Sequence, residues 1–411
     1  MRATRLLRLL SRLHPQHTVV EGFELSEDAR KLWLDVRPTT RVPRCGGCMR
    51  PCSQLYDHRP RHWRHTDLGE TQVFLRFDLA RVDCARCGPT TQLVPWAAHA
   101  AWHTYDFEDL VAYKAQSTDR TRVQKEMRVS WRTVGQIIQR VVERKMGDPD
   151  RQLEGLVRIG VDELSYRKGH SYVTIVVDHD RGAIVWASEG RDAGALDAFF
   201  QALGPERAAK LKLATIDLSK AYIKSLRENA PNAEIVFDRF HVQRLAHDAL
   251  DEVRREIQRE LRGTDEGKAL KGSRFALHKR DENRTPKDEA KLSSVMRTNM
   301  PLFRAHLLTQ VLATILDLRD PAVARESISE WLAWAARARL KPFVRVARTI
   351  REHLDGILGY IRTGLSNGRS EGMNGKVRVL TRRAFGFHSA SSLIAMLHLC
   401  CAGLHLTPRH V

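Results

Sequence analysis

The stretch VRIGVDELSYRKGHSYVTIVVD, residues 157–178, decides the fold that the sequence predicts. An apolar, β-prone run ends at Asp162, and a second run, SYVTIVVD, leads into the turn Asp180-Arg181-Gly182. A third run, AIVWASEGR, begins directly after that turn. Runs of this length, rich in Val and Ile and separated by turn residues, are typical of strands joined as hairpins. We therefore expect a three-stranded antiparallel meander.

Strands and helices alternate after the meander. DAGALDAFFQAL begins with a capping Asp and has helical apolar spacing, KLATID and AEIVFD are short strand patterns, and RFHVQRLAHDALDEVRREIQREL is a long helical pattern. The predicted order is β-β-β-α-β-α-β-α, which is the order of the ribonuclease H-like fold. In that fold the first and fourth strands lie side by side, so the residues at their ends are neighbours in space.

Two of these strands end in a carboxylate. Asp162 closes the first strand and Asp217 the fourth, while Glu371 follows a Ser-Asn-Gly turn at the start of an expected helix. Converging carboxylate oxygens hold hard cations such as Mg²⁺ or Mn²⁺, and two such ions can activate a water or a 3′-hydroxyl against a phosphodiester. The alternative is structural, because such residues also cap turns and helix N-termini. Glu163 could replace Asp162, although adjacent strand residues point to opposite faces, and Asp238 is a candidate accessory carboxylate or helix cap.

Paired cysteines indicate a metal site near the N-terminus. Cys45 with Cys48 and Cys84 with Cys87 form two C-x₂-C knuckles, whose four thiolates would suit one tetrahedral Zn²⁺. The alternative is two unrelated pairs in loops. Other ligand candidates lie nearby, namely Cys52, His58, His62 and His65. The last two cysteines, Cys400 and Cys401, lie in an apolar helical pattern and are expected to be buried thiols.

The segment TRVQKEMRVSWRTVGQIIQRVVERK, residues 121–145, resembles a helix-turn-helix. Ser130 would cap its second helix, and Arg132, Thr133 and Gln136 would then face the major groove of DNA. The alternative is an ordinary helical hairpin.

Further contacts with phosphates are expected from basic residues near the candidate carboxylates. These residues are Lys168, Lys220, Lys376, Arg378, Arg382 and Arg383. His170 and His241 could approach the same cleft, although a lone His is more often a structural hydrogen-bonding group.

The composition favours a polyanionic partner. The chain has 411 residues, a formal net charge of +19 and a sequence pI of about 10.0, although basic surface residues can also be merely solvated. No apolar run approaches the roughly 20 residues of a membrane span. Residues 1–17, MRATRLLRLLSRLHPQH, lack a secretory apolar region and are expected to form an amphipathic helix. We expect a cytoplasmic protein that works at the nucleoid.

These patterns predict an α/β protein with a ribonuclease H-like core, preceded by zinc-binding and helix-turn-helix modules. The polar stretch 261–291 is expected to contain an exposed loop. The predicted regions are a zinc-binding module of short strands at 1–105, a helix-turn-helix at 106–150, the alternating strands and helices of the core at 151–262, a charged helical region at 263–345, and further helices with the Glu371 turn at 346–411.

Together the motifs resemble the ISL3 group of bacterial insertion-sequence transposases, which carry a DDE catalytic domain. The resemblance is carried by GVDELSYRKGHSYVTIVVD, IDLSKAY, IVFDRFHVQRL and NGRSEGMNGKVRVLTRRAFGF, and by the paired knuckles with RHWRHTDLGETQVFLR. It implies that Asp162, Asp217 and Glu371 are the metal-binding triad. It also implies that the ribonuclease H-like core is interrupted by a largely helical insertion at 263–345 and is completed by residues 346–411.

The resemblance also implies an activity. Such an enzyme binds the terminal inverted repeats of its element, cleaves DNA strands with Mg²⁺ or Mn²⁺, and joins the freed 3′-hydroxyls to target DNA. Double-stranded DNA is then the partner, and a homodimer or larger assembly is expected because two ends are handled together. The rival interpretations are a non-catalytic DNA-binding protein and a nuclease that cleaves without joining.

Overall fold

The computed structural model describes residues 15–167, 171–365, 368–384 and 387–408. The chain forms two compact units, one of Met1–Gly147 with Leu404–Val411 and the other of Asp148–Gly403. Most of the amphipathic helix expected at residues 1–17 lies outside the described residues. In the part of the chain that the structure describes, no helix is both long and apolar enough to cross a membrane.

The first unit contains a five-stranded sheet. Its strands are β1 (Thr18–Leu25), β2 (Lys31–Pro38), β3 (Leu55–Leu68), β4 (Thr71–Cys84) and β5 (Gly88–Thr91). They lie in the order β1-β2-β4-β3, with β5 paired to β4. The expectation of short strands is wrong for β3 and β4, which have 14 residues each and form one long hairpin.

That long hairpin has an aromatic core. Trp63 on β3 and Trp96 after β5 are 1% and 0% exposed, and their rings meet edge to face at 5.5 Å. Leu75 on β4 is also fully buried. Apolar side chains thus recur on one face along β3 and β4, and their burial stabilises these long strands. The second cysteine knuckle begins at the end of β4.

Three helices complete the first unit. They are α1 (Tyr105–Ser117), α2 (Arg120–Met127) and α3 (Trp131–Met146). Ser130 caps α3 as expected, with its hydroxyl accepting a hydrogen bond from the backbone N–H of Thr133 at 3.0 Å. Arg128, in the turn before it, has a left-handed φ of 54° and forms an ion pair with Asp67 at the β3–β4 hairpin. This ion pair therefore links the turn between α2 and α3 to the sheet.

The second unit is built on another five-stranded sheet. Its strands are β6 (Arg158–Arg167), β7 (Ser171–Asp178), β8 (Ala183–Glu189), β9 (Leu213–Ile216) and β10 (Glu234–Phe237). They lie in the order β10-β9-β6-β7-β8. The β6–β7 and β7–β8 pairs are antiparallel, while β9 pairs in parallel with both β6 and β10. The expected meander and the expected pairing of the first and fourth strands are both present.

Helices connect and cover these strands. Those of the core are α4 (Pro149–Leu153), α5 (Ala193–Leu203), α6 (Pro205–Ala208), α7 (Lys220–Asn229) and α8 (Arg239–Glu260). They are followed by α9 (Asp265–Leu270), α10 (Arg274–His278), a 3₁₀ turn (Asp281–Asn283), α11 (Pro286–Thr298), α12 (Met300–Leu316), α13 (Pro321–Arg337) and α14 (Lys341–Glu352). The last are α15 (Leu354–Thr363), α16 (Gly368–Arg383) and α17 (Ala390–Cys401).

The polar stretch 261–291 combines short helices with exposed turns. It contains α9, α10, the 3₁₀ turn and the start of α11, and residues 262–264 form an exposed turn, as the sequence predicts. Thr264 and Thr285 cap two of these helices through their hydroxyls. Leu270 and Leu277 are buried in the same core as the sheet. Capping residues and a few well-spaced apolar side chains hold short helices that composition alone does not indicate.

Candidate functional site

The first two predicted carboxylates lie at the same level of two adjacent parallel strands, Asp162 inside β6 and Asp217 directly after β9. The expectation that Asp162 closes the first strand is wrong, because β6 continues to Arg167 through its pairing with β7. Gly160 on β6 is in register with Thr215 on β9, so Asp162 and Asp217 each lie two residues beyond that pair. Asp162 is only 9% exposed. Burial raises the pKa of Asp217, a hydrogen bond from the backbone N–H of Ser219 lowers it, and the charge of Asp162 raises it. The structure therefore brings these two carboxylates together.

Glu163 lies in the same region. It borders one cavity of about 470 Å³ with Asp217, and a second of about 600 Å³ with Asp162. Its Oε2 atom is buried without a hydrogen-bond partner in the described structure. Burial raises the pKa of Glu163, and the charge of Asp217 raises it further. The charges of Asp217 and Asp162 thus both disfavour ionisation of Glu163, the electrostatic condition that a nearby cation relieves.

Strand alternation predicts that Asp162 and Glu163 point to opposite faces of the sheet, but both residues border the same cavity. The Oδ1 atom of Asp162 accepts a hydrogen bond from the backbone N–H of Glu163 at 2.8 Å. Asp162 and Glu163 both border the larger cavity, together with the next two residues of the strand. Alternation describes the direction of Cβ and leaves the end of a short polar side chain free to turn.

Helix α16 reaches the larger cavity, which Val377, Arg378 and Thr381 border. Glu371 lies on the same helix, and its side chain is outside the described part of the structure. Seven residues separate Glu371 from Arg378, which corresponds to two helical turns and nearly the same face. The structure therefore places the helix of the third predicted carboxylate beside the first, without giving the position of the carboxylate itself.

Asp238 and His241 lie at the start of α8. Asp238 is the N-cap of the helix and accepts a hydrogen bond from the backbone N–H of Phe240 at 3.4 Å, so the expected capping role is present. His241 Nε2 lies 3.8 Å from Asp238 Oδ2. Both residues also border the larger cavity, and a positive charge on His241 would lower the pKa of Glu163 and Asp217. The capping residue and the histidine thus belong to the same cleft.

The four knuckle cysteines converge in the first unit. The Sγ atoms of Cys45, Cys48, Cys84 and Cys87 all lie within 4.8 Å of one another, and they form the one group of three or more potential metal ligands among the described residues. The Sγ atoms of Cys48 and Cys84 are 3.4 Å apart. Tetrahedral Zn²⁺ with bonds of about 2.3 Å requires sulfur–sulfur separations of about 3.8 Å. The donor set and its spacing therefore fit zinc.

The local backbone also suits a metal site. Hydrogen bonds from the backbone N–H groups of Cys87 and Arg86 lower the pKa of the Cys84 thiol to about 6. A hydrogen bond with Cys48 and burial raise the pKa of Cys87 to about 12. A Cβ atom at Gly46 would lie 2.6 Å from the Thr91 carbonyl oxygen, so the knuckle has room only for glycine there.

The other candidate ligands lie outside this group. Cys52 is buried beside it, with Sγ 3.6 Å from the carbonyl oxygen of Arg50. His65 Nδ1 is hydrogen-bonded to the Thr104 hydroxyl at 2.8 Å, and His58 Nδ1 lies 3.4 Å from the Asp78 carbonyl oxygen.

The predicted DNA-contacting residues fall on two helices. Arg132 and Gln136 are exposed on α3, whereas Thr133 is half-buried and its hydroxyl lies 2.7 Å from that of Ser130. Trp131, which the sequence did not single out, is 40% exposed beside them and carries the guanidinium of Arg120 over its ring at 4.9 Å. On α16, Lys376, Arg378 and Arg382 are exposed. Lys168 and His170 lie outside the described residues.

Comparison with known proteins agrees with this architecture. Residues 159–397 match the family model of ISL3 transposases with a DDE domain, described as "Transposase". The transposase for insertion sequence element IS1557 of Mycobacterium tuberculosis is 38% identical over 435 aligned positions, covering 98% of this chain and 96% of the relative. The transposase for insertion sequence element IS1001 of Bordetella parapertussis is 28% identical over 372 positions, covering 90% and 91%.

The structure thus defines the class of the protein: it is a mixed α/β protein with an acidic cleft and a cysteine cluster. The chain belongs to the ISL3 family of insertion-sequence DDE transposases.

Proposed function

We propose that the chain binds the terminal inverted repeats of its insertion sequence and catalyses metal-dependent DNA cleavage and strand transfer. The observation that carries this proposal is the placement of Asp162 and Asp217 at one level of two adjacent parallel strands. Family membership supports transposition as the process. The strand order β10-β9-β6-β7-β8, with an antiparallel meander beside two parallel strands, supports a ribonuclease H-like core.

Asp162, Asp217 and Glu371 would hold the divalent ions, Mg²⁺ or Mn²⁺, on the proposed assignment. Bound there, such ions supply an activated oxygen nucleophile and stabilise the leaving oxygen. The protein itself contributes the rigid sheet that fixes the two aspartates and a partly buried cleft that limits competing water. Glu163 is a further carboxylate in reach of the same ions.

Arginines around the cleft would bind the DNA backbone. Arg191 and Arg244 border the smaller cavity, and Arg244 and Arg378 border the larger one. Arg191 and Arg378 have no ion-pair partner among the described residues, so their charges are available to phosphate oxygens. His241 would add a hydrogen bond to the same backbone.

The first unit would recognise the ends of the element. Zn²⁺ held by Cys45, Cys48, Cys84 and Cys87 would stabilise its cysteine loops, and Arg132, Thr133 and Gln136 on α3 would contact bases. On this proposal residues 1–105 and 106–150 serve recognition, while 151–262 and 346–411 form the catalytic core around the insertion 263–345. Lys168, Lys376 and Arg382 would add phosphate contacts. Two ends would require a homodimer or larger assembly on DNA at the nucleoid.

The test is cleavage and joining of labelled DNA carrying the ends of the element, with Mg²⁺ added. Wild type should nick at the ends and join them to target DNA. Asp217→Asn should lose at least about 100-fold in both steps while still binding the ends, because electrostatic stabilisation of this kind is worth about 10²–10³ in rate. Asp265→Asn, which removes an exposed carboxylate on α9, is the matched control and should behave as wild type.

Other results would contradict the proposal. Binding to ends without cleavage by the wild type would leave a DNA-binding protein. Cleavage without joining would favour a nuclease of the same fold.

A further inference from the structure

Phe240 is an exposed aromatic residue inside the acidic cleft. It is the second residue of α8 and is 55% exposed. Of the large apolar side chains that are exposed in the described ranges, it is the one that borders the cavity of Asp162 and Glu163. Exposure of an apolar ring to water is unfavourable, and a bound ligand that covers the ring would remove this cost.

The fold does not require an apolar residue at this position. The buried face of α8 begins at Val242 and continues through Ala246, both 0% exposed and part of the main core. Phe240 lies outside that core, and the ring contact that the structure shows for it is an edge-to-face one with the adjacent His241 at 5.9 Å. Capping by Asp238 uses only the backbone N–H of Phe240. The ring is therefore free to serve a ligand.

The surroundings of the ring indicate which ligand. The cavity of about 600 Å³ also has Arg244 and Arg378 on its border, together with the carboxylates of Asp162 and Glu163. Pockets of roughly 300–1,000 Å³ hold ligands of nucleotide size. A flat apolar surface beside cations matches a nucleobase attached to a phosphate, while the carboxylates match the metal ions that the same phosphate would bind.

We propose that Phe240 stacks on an unpaired DNA base next to the phosphate that is cut. This inference deepens the proposed function and rests on it. A base within a duplex is paired and stacked on its neighbours, so it must leave the helix to reach the ring, and stacking on an aromatic side chain offsets part of that cost. DNA whose terminal base is already unpaired therefore binds more tightly than fully paired DNA.

The experiment measures affinity for two versions of the element's end. One is fully paired, and the other carries a single mismatch that is moved across the positions around the cleavage site. The measurements use the Asp217→Asn background so that the DNA stays intact. At one mismatch position the parent should bind more tightly than it binds paired DNA, by about 5- to 150-fold, the range expected for one stacked base. Phe240→Ala should abolish this preference, and Phe240→Trp should keep it.

Phe275→Ala is the matched control. Phe275 is 74% exposed on α10 and borders neither carboxylate cavity, so its loss should leave the preference unchanged. A second measurement is photo-crosslinking of 5-iodouracil placed at the preferred position, with the attached peptide expected to contain residue 240.

The failures can be told apart. If wild type neither binds nor cuts the ends, the proposed function itself is wrong. If wild type cuts the ends but Phe240→Ala keeps the preference, or weakens paired and unpaired DNA equally, only the stacking inference is overturned. A change of oligomeric state in Phe240→Ala would place the ring in a contact between copies of the chain and would also overturn it.

Discussion

At Gly160 the sheet has no room for a side chain. A Cβ atom there would lie 2.9 Å from His179 Nε2 and 3.0 Å from Thr215 Oγ1. These two atoms are joined by a hydrogen bond of 2.6 Å, which links the end of β7 to β9 across β6. Gly160 thus permits the close approach that sets the relative positions of Asp162 and Asp217.

Gly160→Ala should destabilise the protein by about 1–3 kcal/mol, the usual cost of overpacking a filled core. End cleavage should fall as well, because the added methyl group pushes β6 and β9 apart just before the two aspartates. Denaturant unfolding and cleavage of labelled ends measure the two effects. Gly372→Ala is the control: no atom of the described residues lies within 4 Å of its Cβ position in α16, and helix propensity predicts a gain of about 0.8–1 kcal/mol. An equal response of the two variants would contradict the close-packing explanation.

The positions of individual site residues could be predicted from the sequence only in part. The common level of Asp162 and Asp217 could be predicted because apolar strand patterns and their order indicate which strands are neighbours, but the end of β6 could not, since the strand continues past Asp162 to Arg167. Glu163 could be named only as an alternative to Asp162, because period-two alternation ignores a carboxylate that turns toward the next backbone N–H. Phe240 carried no sequence signal, since an aromatic residue near a helix start is usually part of a core.

The cysteine knuckles are the element whose stability should depend on a bound ion. Wild type should contain one zinc per chain, and Cys87→Ser should lose it and lower the melting temperature, because one of the four converging thiolates is removed. Zinc content by mass spectrometry and thermal unfolding provide the readouts. Cys52→Ala, beside the cluster but outside it, should keep the zinc. Loss of zinc from Cys52→Ala alone would show that the ligand set is different.

Elements differ in how well the sequence predicts them. The meander and β9 were predicted because Val- and Ile-rich runs ended at turn residues. The length of β3 and β4 was not, because polar residues such as His62 and Arg76 interrupt their pattern although both lie within the hairpin ladder. Tertiary pairing overrides local propensity there. Helices α9 and α10 lie within the range 263–345 that the sequence predicts to be helical, and buried leucines hold them against the core.

Each of the two units contains a half-buried histidine that acid should charge. Burial lowers the pKa of His103 in the first unit and of His398 in the second to about 4 from an ordinary 6.5. The folded chain then binds fewer protons than the unfolded chain between these values. The stability that each histidine contributes is therefore complete above pH 6.5 and is lost as the pH falls toward 4.

In His398→Leu the free energy of unfolding should fall less as the pH is lowered. At neutral pH the variant should be as stable as wild type, because Nδ1 of His398 is buried without a hydrogen-bond partner in the described structure. Chemical unfolding of wild type and variant at several pH values between 7.5 and about 4.5 measures the difference. The difference in unfolding free energy between the two proteins isolates the effect of His398. It removes the contributions of Asp217 and Glu163, whose raised pKa values make the folded chain more stable as the pH falls. Parallel stability curves for the two proteins would show that His398 does not titrate in this range.

The division of the chain has a consequence for its synthesis. Residues from Leu404 onward belong to the first unit, and Gln116 on α1 donates a hydrogen bond to the Leu404 carbonyl oxygen at 3.2 Å. A ribosome makes that segment after all of Asp148–Gly403, whereas domains generally fold in the order in which they emerge. The first unit is thus completed only after the second has been made, and a chain that terminates before Leu404 would carry the sheet with both aspartates while the first unit lacks this segment.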